Sequence, residues 1–356
     1  MPDIKLEING SVFSGWEELS VTKSVEAICG KFELAVSDLA PFPVVPGDTC
    51  TLTLEGHNQI VGYVDSVKAS VGARNHGISV AGRDKTGDLV DCSAVHETQE
   101  FTNIEFKALM EKLAGPFGIS VTVIPALDPF PTFALQQETA FEAIERACRL
   151  RGVFPNADEK GNLIIAEFGK NKADSSLLLP GNILSADVSF DYTDRFSKYT
   201  VYGQQPGGED LYGEAAAKPD GEATDAKITR YRPLIIVAEG GVSIDKAKQR
   251  AQWEAAVRAA RSMTFNATVQ GWTQTPGGRL WAVNELVSCA AQVLGVYGEM
   301  LVKELTFKCS NTGGTTTELA LIRPDAYLKQ PDLKAEKNGK IGESLDFSED
   351  DAGEEE

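Results

Sequence analysis

The sequence predicts a β-rich α+β multidomain chain. Three observations carry this reading: short alternating strands over residues 1–97, two capped helices within 98–172, and a return of strands over 173–327. Many short strands at spacings of about 8–12 residues, separated by turns, imply a sandwich or a small closed barrel. Each β-rich stretch is therefore expected to form such a sandwich or barrel-like domain. A length of 356 residues agrees with two to three domains.

In the first stretch Ile4, Leu6 and Ile8 alternate with Lys5 and Glu7, and Asn9-Gly10 offers a hairpin turn before Val12-Phe13. Leu19 and Val21, then Phe32, Leu34 and Val36, repeat the two-residue period. Pro41, Pro43, Pro46 and Gly47 break the chain before Leu52, Leu54, Ile60 to Val67 and Ile78 to Val80 resume it. The pattern changes at Thr102-Asn-Ile-Glu105, which reads as a capping box ahead of Phe106, Leu109, Met110 and Leu113. A strand is expected over Ile119 to Ile124. A second capping box, Thr139-Ala-Phe-Glu142, opens a helix with Phe141, Ile144, Ala147 and Cys148 on one face, extending to Leu150. Val153-Phe154 and Leu163 to Phe168 then form a hairpin, closing a small α+β module that holds two helix-then-strand units.

Strands return at Ile183 to Phe190 and Lys198 to Tyr202. The glycine- and proline-containing segment 204–224 reads as an inserted polar loop. Arg230 to Val237 reads as a strand, and Ser243 is placed to cap a helix over 244–262. Met263 to Gln270, Leu286 to Ala290, Met300 to Lys308 and Thr317 to Ile322 complete the second β-rich stretch. Residues 328–356 are polar and acidic, and their composition predicts a disordered tail.

Composition removes several function classes. With 34 basic and 52 acidic residues the net charge is −18, and eight acidic residues fall after Gly342. Such a chain repels nucleic-acid phosphates and anionic membranes. The densest basic stretch, Lys246 to Arg261, is spread round a helix and interrupted by Trp253 and Glu254. No apolar run approaches a membrane span and the N-terminus lacks a signal-peptide core, so a soluble chain made in the cytoplasm is expected. Cysteines at 29, 50, 92, 148, 289 and 309 include no CxxC pair and read as reduced, buried thiols.

The chemistry search predicts no catalytic, cofactor or metal residue. His57, His76 and His96 lack metal-ligand spacing, and no G-x-S-x-G elbow marks a nucleophile. Gly82-Arg-Asp-Lys-Thr86 lacks phosphate-loop spacing; a polar turn, or charges pairing across a subunit boundary, are the readings left. The carboxylates Asp84, Asp88, Asp91 and Asp187, Asp191, Asp194 match neither a calcium loop nor a defined acid–base pair. Trp16, Trp253, Trp272 and Trp281 are scattered and read as core or interface rather than a sugar-binding platform.

Several strings are more specific. Phe13-Ser-Gly-Trp16, Ser20-Val-Thr-Lys-Ser-Val-Glu26, Gly30-Lys-Phe-Glu-Leu34 and Ala81-Gly-Arg-Asp-Lys-Thr-Gly-Asp-Leu-Val-Asp-Cys92 resemble the bacteriophage Mu baseplate hub (P protein) family. Asp194-Arg-Phe-Ser-Lys-Tyr199 and Thr229-Arg-Tyr-Arg-Pro-Leu-Ile-Ile236 resemble it in the same order, and the similarity spans residues 3–330. The resemblance implies a trimeric, non-enzymatic hub of a contractile phage tail with two tail-tube-type β-barrel domains per subunit plus a small α/β module. It further implies partners: a homotrimer, the tail tube ring, the central spike and neighbouring baseplate proteins, with DNA passing through a lumen without specific binding. The location implied is the virion baseplate, after assembly in the host cytoplasm. A tail-tip peptidoglycan hydrolase, or a cell-wall or carbohydrate-binding tail protein, is the competing reading.

Overall fold

The structure, a computed structural model, describes residues 2–37, 43–72, 76–204, 220–241 and 244–331. It divides into two compact units: Met1–Arg195 with Ala256–Gln330, and a second containing Phe196–Ala255.

Alternation in the first stretch produces β1 (Ile4–Ile8), β2 (Ser11–Phe13), β3 (Glu18–Ser24), β4 (Lys31–Val36), β5 (Thr49–Leu54), β6 (His57–Val71) and β7 (His76–Asp84). Asn9 and Gly10 both have positive φ, 50° and 79°, as a tight hairpin between β1 and β2 requires. A short helix α1 (Gly87–Asp91) follows, sending Leu89 into a second core.

The middle segment contains β8 (Glu100–Ile104), α2 (Phe106–Ala114), β9 (Val121–Val123), β10 (Phe130–Ala134), α3 (Ala140–Arg151), β11 (Phe154–Ala157) and β12 (Leu163–Ala166). Thr139 caps α3 as expected: Glu142 N–H donates to its Oγ1 at 3.2 Å, and its own N–H donates to the Glu142 carboxylate at 2.7 Å. Thr102 does not cap a helix. It lies mid-strand opposite Thr132, because β8 and β10 pair to bury Phe101, Ile104, Phe130 and Phe133. That burial outweighs one capping bond, and α2 starts four residues later at Phe106. Leu150 is also corrected: it is exposed, lying six residues beyond Ile144 and hence about 240° round α3.

Two short strands, β13 (Asn171–Lys172) and β14 (Leu177–Leu178), lead to β15 (Ile183–Phe190). The second unit is built from β16 (Lys198–Gln204), β17 (Asp220–Thr224), β18 (Pro233–Gly241) and the first part of α4 (Ile244–Arg261). Its sheet order is β17-β16-β18, with Tyr199, Val201, Ala247 and Ala251 in the core. The end of the expected 204–224 loop is thus a strand; its stretch 205–219 and the cap residue Ser243 lie outside the described residues, as does 332–356.

After α4 come β19 (Met263–Gln270), β20 (Glu285–Ala291), β21 (Val296–Ser310) and β22 (Gly314–Ile322). Both β-rich stretches of the first unit belong to one fourteen-stranded sheet ordered β15-β19-β22-β21-β3-β4-β7-β6-β5-β1-β2, with β20 beside β21 and β13 and β14 beside β20. One hydrophobic cluster runs along it, from Leu6, Leu34 and Leu52 to Phe265, Leu305 and Leu321.

The expectation of two closed barrels is not met in the hydrogen bonding: among the described residues no sheet closes on itself. Duplication is nevertheless plain. The antiparallel order β5-β6-β7-β4-β3 recurs as β20-β21-β22-β19-β15. β6 and β21 each have 15 residues, β7 and β22 each have 9. Each long strand carries a bulge, at Asp65 in β6 and at Lys303 in β21. The ladder stays open because the far half of β21 pairs with β3 of the other repeat instead of returning to its own.

The two threonines separate a capping bond from a strand position. Thr139→Ala should cost about 1 kcal/mol in urea unfolding, and Thr102→Ala about 0.5 kcal/mol or less. Equal costs would mean that Thr102 does cap α2.

Candidate functional site

The sequence-level candidates do not converge. His57 begins β6 and His76 lies opposite Val71 at its far end, so one long strand separates them. His96 Nδ1 lies 3.2 Å from the Thr98 amide, and its ring meets Phe101 edge-on at 4.7 Å. Among the described residues no three His, Cys, Asp or Glu side chains group as metal ligands.

Burial pushes the Cys29, Cys50 and Cys289 thiols up to about 12, and raises Cys148 and Cys309 as well. These five are poor nucleophiles near neutral pH. Cys92 departs from the buried reading: it is exposed, because it ends α1 in an extended conformation. Trp16 and Trp272 are buried, donating to the carbonyls of Phe13 and Lys308 at 3.2 and 3.0 Å; Trp281 is buried, and Trp253 is half-buried under Arg250.

The carboxylate clusters have separate structural tasks. Asp84 is buried and accepts from Gly30 N–H at 2.6 Å, from Thr86 N–H at 2.9 Å and from the Thr86 hydroxyl. Desolvation raises its pKa against those bonds, and burial likewise lowers that of Lys23, whose charge Asp84 favours. Arg83 pairs in-chain with Asp65 and Asp91, both at 2.7 Å. Gly82 lets β6 and β7 close up, since a Cβ there would sit 2.3 Å from the Tyr63 carbonyl and 2.7 Å from the Phe32 ring. Asp187 accepts from Asn266 at 2.9 Å, Asp191 turns back on Thr193, and Asp194 offers its carbonyl to Arg258 at 3.4 Å. The string 81–92 is thus a joint locking β7 to α1.

What the fold presents instead is sheet edge. Residues 304–309 of β21 pair with 24–19 of β3, sealing one edge of each repeat inside the chain. Leu305 and Phe307 are fully buried there, and the hydroxyls of Thr22 and Thr306 meet at 3.0 Å. The equivalent edges are open among the described residues. The far half of β6, beyond Asp65, has β7 on one side only, and β15 has β19 on one side only. Val71 is 79% exposed and Phe190 57% exposed on these edges. Sequence reading located β15 but ended the other strand at Val67, short of Val71, and it did not locate the edges, because strand order is set by pairings between distant segments.

The chain is a duplicated sheet with edges left unpartnered among the described residues, and solved structures that share this fold include tail proteins. The 43 kDa tail protein of prophage MuSo2 from Shewanella oneidensis is similar with a TM-score of 0.81 and 34% identity, over 92% of this chain and 99% of that one. A tail protein from Neisseria meningitidis MC58 shares the fold at a TM-score of 0.74 and 23% identity, over 91% and 99% of the two chains. Four family models match in order: Mu phage baseplate assembly protein GpP-like, N-terminal, at 3–84; baseplate hub protein gp44-like, second domain, at 86–167; tail protein NMB1110-like, third domain, at 195–253; and Mu phage baseplate assembly protein GpP, fourth domain, at 243–330. Baseplate hub protein gp44 of Escherichia phage Mu is 35% identical, over 96% of this chain and 93% of that protein. The chain belongs to the Mu phage baseplate hub family.

The joint at Asp84 makes a stability prediction. Asp84→Ala leaves the buried Gly30 and Thr86 amides without their acceptor, while the Thr86 hydroxyl keeps the Ile28 carbonyl at 3.3 Å, and should cost roughly 2–3 kcal/mol. Asp91→Ala, at an exposed position, should leave the urea midpoint nearly unchanged, and a large loss there would show that the Arg83 pairs hold the joint.

Proposed function

We propose that the chain is the structural hub of a contractile phage tail baseplate, acting as a homotrimer that adapts the sixfold tail tube to the threefold central spike. The observation that carries this is the duplication of β5-β6-β7-β4-β3 as β20-β21-β22-β19-β15. A threefold object meets a sixfold ring when each subunit offers two quasi-equivalent units, related by about sixty degrees round the trimer axis. The tail-tube-type domains correspond to 1–97 and 173–327, the second with its insertion at 204–224 and helix at 244–262, and 98–172 is the small α+β module between them. Residues 328–356 are a separate acidic tail.

On this reading the partners are two further copies, the tail tube ring above, the spike below and neighbouring baseplate proteins. The protein resides in the virion baseplate after assembly in the host cytoplasm. DNA passes through the lumen without specific binding; a net charge of −18 supports that, since phosphates are repelled. The role is non-enzymatic, with the raised cysteine pKa values and the structural uses of the aspartates supporting it.

Light scattering tests the central claim: the expected mass in solution is three times the 38.3 kDa chain. A stable dimer or tetramer would overturn it. A chain ending at Gln330, where the family match also ends, should give the same threefold ratio. A cell-wall zymogram is expected to show no clearing; clearing would favour the hydrolase reading.

A further inference from the structure

The two repeats carry information about each other, because one edge is covered in the chain and its equivalent is not. Aligning the bulges sets Asp65 of β6 at the position of Lys303 in β21. Following the pairings across each repeat then sets Ser20 of β3 at the position of Asp187 in β15. Applied to the β21–β3 ladder, this correspondence generates one register for the open edges. We propose that the far half of β6 pairs antiparallel with β15 of a second copy of this chain, Val67 opposite Phe190, Lys68 opposite Ser189, Ala69 opposite Val188, Ser70 opposite Asp187 and Val71 opposite Ala186. This rests on the trimer reading above and names the contact that closes the ring.

Side-chain chemistry, which did not enter the register, agrees with it. Val67, Ala69 and Val71 occupy the positions of Leu305, Phe307 and Cys309, which are buried in the covered repeat. Ala186, Val188 and Phe190 occupy those of Leu19, Val21 and Lys23. Val67, Ala186 and Val188 already pack partly against the main core, so the pairing extends that core across the junction. On the opposite face Lys68 lies diagonal to Asp187, within reach of a cross-strand ion pair. A one-residue slip would set Val67, Ala69 and Val71 on the face opposite to the apolar residues of β15. Long, unpaired edges of this kind are templates for another strand.

Cysteine pairs in a Cys92→Ser background test the register. Ala69→Cys with Val188→Cys, and Lys68→Cys with Ser189→Cys, sample both kinds of antiparallel pair. Oxidation of at least one of them is expected to yield dimers and trimers on a non-reducing gel. Val71→Cys with Phe190→Cys, four residues out of register and roughly 13 Å apart, should yield none. Val71→Lys, at a site exposed in the lone chain, should fold normally and raise the midpoint concentration for trimerisation by roughly tenfold or more. A trimer by light scattering that cross-links at neither in-register pair would overturn the pairing and leave the trimer standing. A chain monomeric at every concentration would overturn the trimer itself. An unchanged midpoint for Val71→Lys would also count against the pairing.

Discussion

The pairing of β21 with β3 is the interaction on which the rest of the first unit depends. It joins segments nearly the whole chain apart, as Thr22 and Thr306 show by sharing a hydrogen bond. Loop closure on that scale is less costly than it looks, because each doubling of loop length adds only about 0.6 kcal/mol. Burying Phe307 and Leu305 against Val21 returns about 1.5–3 kcal/mol per side chain. Burial therefore outweighs the extra closure entropy, and the two repeats form a single sheet instead of two self-contained barrels.

The bulges follow from the same demand. Each long strand pairs with one neighbour along its first half and offers its second half to another, as β21 does with β20 and then β3. A bulge bends the strand and raises its twist between the two halves. The bulge residues are charged and paired outward, Asp65 with Arg83 at 2.7 Å and Lys303 with Glu26 at 2.8 Å. Opposite charges at equivalent positions show that the two repeats share the bend without sharing the side chains that dress it.

Local patterns were legible where one face of an element is buried. β15 and β19 have the bounds that alternation predicts, and α3 starts at the capping box. Legibility ended where a distant partner decides. Thr102 satisfies the capping-box pattern, yet pairing with β10 makes it a strand residue. Asp220-Gly-Glu-Ala-Thr224 has little intrinsic strand preference and is a strand because β16 lies beside it. The open edges were invisible for the same reason: Phe190 looks like an ordinary strand hydrophobic until the pairings show that, among the described residues, no strand pairs with β15 on that side.

On the proposed pairing one kind of junction is used twice, and it would behave differently according to whether a chain links its halves. Inside the chain β3 and β21 meet at an effective concentration set by the linking segments, so the junction forms with the fold. In the proposed pairing between copies the same geometry would depend on protein concentration and on smaller side chains: Val67 and Ala69 stand where Leu305 and Phe307 stand in the linked case. Smaller apolar groups at the open edge limit the surface exposed before assembly, which reduces unwanted strand addition. The proposed ring, closed through three linked and three unlinked junctions, would thereby gain specificity from the linked ones and reversibility from the others.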